Sequence, residues 1–420
     1  MSFSPLDNSS LDQQSQFPQR TLPIGFMLRL AKALHSYGMT AYEMENRMPL
    51  IGEKLGFAVQ CLSEPTNLIM SFSRPQEPEP ITYVFRVDPG EVNLERQIQV
   101  DFVFQDVASG AMTVEVGAQR LDEIASSAAR FGDKLTILGF GLFSGAIARL
   151  LGGATAEILV ALFIGLLTGL IAMRFLKSES ARFLFPTIAA TISSVIAAFV
   201  ASFGLLASPY IATLSGVIVL VPGLLLTTAI EELARQNMVS GTARLFSAGT
   251  IFMQIGFGLA IGIQLSDYWF ITQPVVAQDD LPVWTEWCAV LSAGIGLFFL
   301  FKSRPKDLGW VLTAGFVTWG ATLIGSHYFG PIMGAFFGAL CTGIASNLFE
   351  RLTRISRNVM LMPGIILLVP GSVGFQSLSL LVEKNILAGL DTAFMMSFVA
   401  VALVTGLLLA SLIVPPRKIE

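Results

Sequence analysis

The chain has 420 residues, 53% of them hydrophobic and 13% charged, with a mean hydropathy of +0.67. Soluble domains carry about 25% charged residues, so this balance excludes an ordinary soluble protein and points to the membrane. A net charge of -4 gives no electrostatic case for a nucleic-acid partner, and Cys61, Cys288 and Cys341 lie too far apart for metal-ligand or disulfide spacing.

In chain order, residues 1–20 (MSFSPLDNSSLDQQSQFPQR) lack the apolar core of a cleavable signal and read as a disordered lead-in. Residues 1–134 hold 17 acidic and 11 basic residues, half of all the charge. Within them, 21–134 read as a small cytoplasmic α+β domain. TLPIGFMLRLAKALHSYG has helical apolar spacing and a Gly stop. TAYEMENRMPLIGEKLG follows as a second helix, with Thr40 at the N-cap, Glu43 at the capping-box position, and Pro49 predicting a kink or a shorter helix. FAVQCLS, NLIMSFS and ITYVFRV read as three strands, with the Pro-rich RPQEPEP as the turn between the last two. Helices are expected over 92–108 and 112–129. Metalloprotease, nucleophile-elbow and phosphate-loop motifs are absent from the sequence, and its two histidines, His35 and His327, fall on opposite predicted sides of the membrane. Tyr42 and Glu45 read equally as part of a site or as a solvated helix face. Neither a metal nor a cofactor is called for, although a hydrolase in this domain stays open.

A helix crossing roughly 30 Å of hydrocarbon needs about 20 mostly apolar residues. That ruler finds ten segments: 135–151, 156–173, 183–205, 209–230, 245–266, 283–301, 308–326, 329–348, 359–381 and 391–414. They divide into a first five-span repeat (135–266), an outer linker (267–282), a second five-span repeat (283–414) and a cytoplasmic tail (415–420). With the N-terminus inside, thirteen Lys/Arg between Arg174 and Lys418 fall on inner loops and the tail, while Arg149 and Lys384 fall outside. The outer linker carries Asp267, Asp279 and Asp280 and no basic residue, so both termini are expected to be cytoplasmic.

Span 4 contains GVIVLVPG (216–223) and span 9 contains GIILLVPG (364–371), 148 residues apart. The same offset pairs Asn237 with Asn385, Gly241 with Gly389 and Ser144 with Ser292. A unit with an odd number of spans, repeated once, must enter the membrane in opposite senses. Inverted repeats with matching Gly/Pro-interrupted helices are a transporter signature, because the broken helices expose backbone groups to a substrate. Pro lacks an amide proton and clashes with the preceding turn, Gly tolerates unusual dihedrals, and the freed carbonyls need partners inside the protein or a wet cavity. Candidate substrate-binding residues are therefore Pro222, Gly223, Thr227, Thr228, Pro370, Gly371, Ser372 and Gln376. A single Pro-Gly is more often a kink; the matched pair favours a site. Glu157, at the start of span 2, reads as a pathway residue or as a solvated helix end. Gly330, Gly334 and Gly338 make two GxxxG steps that let span 8 pack closely on a neighbour.

VPGLLLTTAIEELARQNMVSGTARL (221–245) resembles the threonine/serine exporter family, whose pattern runs P-G-x-x-L-T-N-A-I-R-D-L and then G-D-x-x-S-G-x-A-R-L. Pro222, Gly223, Leu226, Thr227, Ala229, Ile230, Leu233, Ser240, Gly241, Ala243, Arg244 and Leu245 match it. LHSYGMTAYEMENRM (34–48) and the stretch from Val92 to Ile124 also resemble family segments, so the likeness runs from Thr21 to Val414. It implies ten spans in the inner membrane and proton-driven export of threonine and serine, that is, a transporter rather than an enzyme. Its partners would be an amino acid, protons and lipid, with a homo-oligomer left open. A non-coupled channel and a membrane-anchored hydrolase are the alternatives. The sequence departs from the pattern at Thr228 (commonly Asn), Glu231-Glu232 (Arg-Asp) and Gln236-Asn237 (Gly-Asp). Glu231, Glu232 and Glu157 are coupling candidates, although the place of Glu231 and Glu232 near a loop also suits a solvated face.

Overall fold

The computed structural model describes residues 18–74, 77–87, 90, 92–176, 178–270, 281–368 and 371–417. Residues up to Arg130 together with Glu231–Arg244 cluster into one compact unit, and Phe131–Ile230 with Leu245–Arg417 into a second.

In the first unit, helices α1 (Pro18–Ser36) and α2 (Ala41–Lys54) precede strands β1 (Ala58–Ser63), β2 (Asn67–Arg74) and β3 (Glu77–Arg86), and helices α3 (Leu94–Ala108) and α4 (Val114–Ser126) follow. Helix α1 thus begins inside the segment read as a lead-in. Three of the helix starts are set by side chains: Thr40 Oγ1 accepts from the Glu43 amide at 3.3 Å, Asn93 Oδ1 from Arg96 at 3.0 Å, and Thr113 Oγ1 from Val116 at 3.4 Å. Helix α2 continues past Pro49 to Lys54, because Met44, Met48 and Ile51 are buried along one face and hold the turn that the ring weakens. The strands form an antiparallel meander, β1-β2-β3, with Val59 opposite Phe72 and Phe72 opposite Ile81. Alternation puts Leu68, Met70 and Phe72 on the buried face, where they share a core with Phe26, Leu30, Leu34, Met48 and Phe104. Fully burying such a side chain contributes about 1.5–3 kcal/mol.

The second unit is helical throughout: α5 (Asp133–Leu150), α6 (Thr155–Phe175), α7 (Glu179–Ala201), α8 (Pro209–Val217), α9 (Gly223–Ala234, passing at Glu231 into the first unit), α10 (Met238–Trp269), α11 (Trp284–Leu300), α12 (Leu308–Phe329), α13 (Pro331–Thr353), α14 (Asn358–Leu368), α15 (Gly371–Val382) and α16 (Ile386–Ile413). Among the described residues, seven runs are long and apolar enough to cross a bilayer, or eight if the bent pair α8–α9 is one span. The chain is an α-helical multi-pass membrane protein. Two of the ten expected segments fall short by these measures: α11 has 17 residues, and α5, with 18, carries Asp133, Lys134 and Arg149. The lead-in 1–17, most of the outer linker (271–280), Lys177, Pro370 and Lys418 lie outside the described residues.

The offset found in the sequence reappears in backbone geometry. Gln236 (φ 66°) and Lys384 (φ 63°), 148 positions apart, are both left-handed residues ending a helix. Each is followed by the same bonds: the Asn237 amide donates to the Glu232 carbonyl at 2.9 Å and the Asn385 amide to the Leu380 carbonyl at 2.8 Å. Gly152 (φ 86°) and Lys302 (φ 51°), 150 positions apart, also end α5 and α11 with a left-handed residue. A non-Gly residue in this region costs roughly 1–2 kcal/mol.

Candidate functional site

Span 4 breaks as its sequence demands. Helix α8 ends at Val217, a 3-10 turn covers Ile218–Leu220, Val221 is extended (φ -65°, ψ 122°), and α9 starts at Gly223, bent 59° from α8. The carbonyls near the break find partners on neighbouring helices: Thr168 Oγ1 on α6 donates to the Gly216 carbonyl at 3.2 Å, and Ser193 Oγ on α7 donates to the Thr213 carbonyl at 3.0 Å. Thr227 does not serve them. Its hydroxyl is buried and donates to the Gly223 carbonyl of its own helix at 3.0 Å. In span 9, Gly364 faces an equivalent pair, Thr318 and Thr342, whose hydroxyls are 2.6 Å apart. A Cβ on Gly364 would lie 2.8 Å from Thr318 Oγ1, and one on Gly216 would lie 3.0 Å from Ser193 Oγ. Each Gly lets two buried hydroxyls approach the backbone (Thr168 and Ser193 in one half, Thr318 and Thr342 in the other). Among the described residues, span 4 is bent by more than 40° at its break; the Val-Pro break of span 9 lies outside them.

Beside α8 lies a cavity of about 360 Å³, lined by Leu151, Ser208, Tyr210, Ile211, Leu214, Ser372, Val373 and Gln376. It brings together Ser372 and Gln376, the two polar candidates of span 9, with Ser208 and Tyr210 from span 4. Pro222, Gly223, Thr227, Thr228 and Gly371 are not in its lining. Ser208 caps α8, its Oγ accepting from the Ile211 amide at 3.4 Å, and Tyr210 packs on Phe375 with ring centroids 5.8 Å apart. A Ser-Pro pair opening a helix, followed by the only Tyr between Tyr83 and Tyr268, was the available signal for this wall. Among the described residues no ionised side chain lines the cavity, and helices α8 and α15 present their N-terminal ends to it through Ser208 and Ser372.

Glu157 is not a solvated helix end: it is 1% exposed. Its Oε2 accepts from the Ala154 amide at 3.1 Å, and its Oε1 from the amides of Ala207 at 2.6 Å and Ser208 at 3.1 Å. Glu232 departs from the solvated-face reading in the same way, at 1% exposure within the first unit. Its Oε1 accepts from the Ala41 amide at the start of α2 (3.1 Å), and its Oε2 from Ser240 Oγ (2.7 Å) and Arg244 Nε (3.0 Å). Glu231 pairs with Arg235 at 3.0 Å, and the Arg235 guanidinium lies 4.3 Å over the Tyr42 ring. Asn237 Nδ2 donates to Glu45 Oε2 at 2.7 Å, while Glu45 Oε1 accepts from the Ser63 amide at 3.0 Å. Glu231, Glu232 and Asn237, which depart from the family pattern, thus join this network and none lines the cavity. His35 Nε2 donates to the Pro65 carbonyl at 3.1 Å, and burial holds its imidazole below the usual range, with the nearby Arg244 charge acting the same way. In span 8, Gly334 and Gly338 pack against Ser326 and Thr322 of α12, as a GxxxG face should, but Gly330 does not. It is a left-handed turn residue (φ 86°) with open space around its α-carbon.

Residues 25–266 match the threonine/serine exporter family model, and residues 286–413 match a second model described as Threonine/Serine exporter, ThrE. The chain belongs to the threonine/serine exporter family. It is 27% identical over 347 residues to a threonine/serine exporter of Corynebacterium glutamicum, an alignment covering 79% of this chain and 68% of that protein. It is 26% identical over 382 residues to pheromone-regulated membrane protein 10 of Kluyveromyces lactis, covering 88% of this chain, and 23% identical over 381 residues to the Saccharomyces cerevisiae protein of that name, again covering 88%. The chain spans only 39% and 48% of those two fungal proteins. No solved structure matches the chain.

Proposed function

We propose that the protein is a secondary active exporter of small neutral hydroxy amino acids, threonine and serine, in the inner membrane with both termini cytoplasmic. Two inverted five-span repeats would alternate access to a site between broken spans 4 and 9. The observation that carries this reading is the cavity between α8 and α15. At about 360 Å³ it lies at the small end of ligand pockets. A lining of three hydroxyls and one amide, without an ionised side chain, suits a solute of no net charge. The two helix N-terminal ends supply partial positive charge for a carboxylate. Ser208, Ser372, Tyr210 and Gln376 can then share the ammonium and hydroxyl among their acceptors and donors. The bend in span 4, with its carbonyls held by Thr168 and Ser193, gives the two halves a place to hinge. Proton coupling fits the buried carboxylates near that span. The matched left-handed turns 148 residues apart support the repeat.

Counterflow of labelled threonine in proteoliposomes tests the reading. Saturable uptake competed by serine is expected, with Ser208→Ala and Gln376→Leu raising KM. Non-saturable flux would favour a channel, and amide or ester turnover without counterflow would favour a membrane-anchored hydrolase.

A further inference from the structure

The cavity takes its walls from the first half of span 4 and the second half of span 9. It leaves out the other two halves, α9 and α14, and the 148-residue offset relates the two sets. That offset carries Ser208, Tyr210 and Leu214 onto Ser356, Asn358 and Met362. It carries Ser372 and Gln376 back onto Leu224 and Thr228. Like the cavity lining, these counterparts offer hydroxyls and one amide, that of Asn358, and no ionisable group.

Local structure follows the same correspondence. Ser208 Oγ accepts from the Ile211 amide at 3.4 Å at the head of α8, and Ser356 Oγ accepts from the Asn358 amide at 3.4 Å at the head of α14. Exposure does not follow it. Ser208, Tyr210 and Ile211 are half-buried and Gln376 is exposed, whereas Ser356, Asn358 and Val359 are 8%, 6% and 0% exposed. Leu224, at the start of α9, packs on the apolar cluster that holds Ile365 and Leu368 of α14. The cavity is therefore open where its counterpart is shut. Two related halves that enter the membrane in opposite senses can exchange conformations, and the exchanged state is open on the opposite side.

We propose that the chain has a second substrate cavity, closed in this structure and opening to the inner side, in which Ser356 and Asn358 of span 9 and Thr228 of span 4 receive the same small neutral hydroxy amino acid. This rests on the export reading, its inverted repeat and its orientation. The inner cavity opens as α14 parts from α9, while the outer one closes as α15 packs on α8. Substrate enters through the first and leaves through the second. Thr228, which does not line the outer cavity, thereby gains a contact with substrate.

The test uses the full chain in inside-out membrane vesicles, with threonine on both sides and a membrane-impermeant maleimide in the medium. Peptide mass spectrometry reads the substituted position alone, so the native cysteines stay. During exchange, Val359→Cys should react at least about tenfold faster than Val290→Cys, which is also buried but lies on α11, away from the wall that opens. In right-side-out vesicles Val359→Cys should stay unreactive. A second variant reads substrate contact directly: Thr228→Val removes one hydroxyl and keeps the shape, so the KM of threonine counterflow should rise about two- to tenfold. A merely structural role would lower the maximal rate and leave KM in place. Native counterflow combined with Val359→Cys reacting no faster than Val290→Cys, or from the outer side alone, overturns the proposal, as does an unchanged KM in Thr228→Val. Absence of counterflow by the native protein overturns the export reading itself.

Discussion

Replacing Glu232 by Ala should loosen the first unit locally and by a large factor. The side chain is 1% exposed and accepts three hydrogen bonds, one from the Arg244 guanidinium, whose own side chain is 16% exposed. Removing one partner of a buried ion pair leaves the other charge desolvated and costs about 3–5 kcal/mol. With 1.4 kcal/mol for each factor of ten, that equals roughly two to three and a half decades of local opening. Glu232→Gln keeps a carbonyl acceptor for the Ala41 amide and loses the charge, so about one decade is expected. Native-state hydrogen exchange of the solubilised full chain reads this in peptides covering 40–48 and 236–244. Pairing Glu232→Ala with Arg244→Met should recover part of the loss, with a coupling of about 1–3 kcal/mol. Less than twofold loss of protection in Glu232→Ala would refute the view that this carboxylate holds the segment in place.

Gly216→Ala should destabilise the protein by about 1–3 kcal/mol, because the new methyl overlaps Ile164 and crowds Ser193; Gly249→Ala, with nothing within 4 Å, should be neutral or stabilising in the same thermal melts in detergent. The buried His35 imidazole has its folded-state affinity for protons lowered, first by burial, then offset in part by its bond to Pro65. Its contribution to stability is therefore intact above the unfolded value of about 6.5 and is lost as pH falls through the lower folded value. Melting curves between pH 7.5 and 5 should thus show less acid sensitivity in His35→Gln. Burial pushes the Cys61 thiol up to about 12. Its alkylation at pH 8 should be about a thousandfold slower than that of an unperturbed thiol, as mass spectrometry of folded and denatured samples would show.

The elements of the first unit were legible because the local rules agree: Thr40 caps, Gly38 stops, and alternation in NLIMSFS marks a strand. The break in span 4 was equally legible from Val-Pro-Gly. What answers that break was not, since Thr168 and Ser193 lie up to 48 positions away and nothing local distinguishes them from other hydroxyls in apolar helices. Thr227 was the reasonable choice by proximity, yet a Thr inside a helix satisfies itself four residues back. Two of the eight residues lining the cavity, Ser372 and Gln376, were among the candidates read from span 9; Ser208 and Tyr210 were passed over because a helix start looks like punctuation. Glu157 and Glu232 were misjudged for one reason. A carboxylate near the end of an apolar run suggests water, and only tertiary structure shows that backbone amides, with Arg244 in one case, have replaced it.

The segment Glu231–Arg244 is counted with residues that precede it by a hundred positions or more. A ribosome therefore finishes residues 18–130 long before it makes their last piece. Between the two events come the helices from Asp133 to Val217, which must be handed to the membrane first. Until Glu232 arrives, the amide of Ala41 lacks the carboxylate it meets in the finished chain. Completion of the first unit is thus a late event in biogenesis.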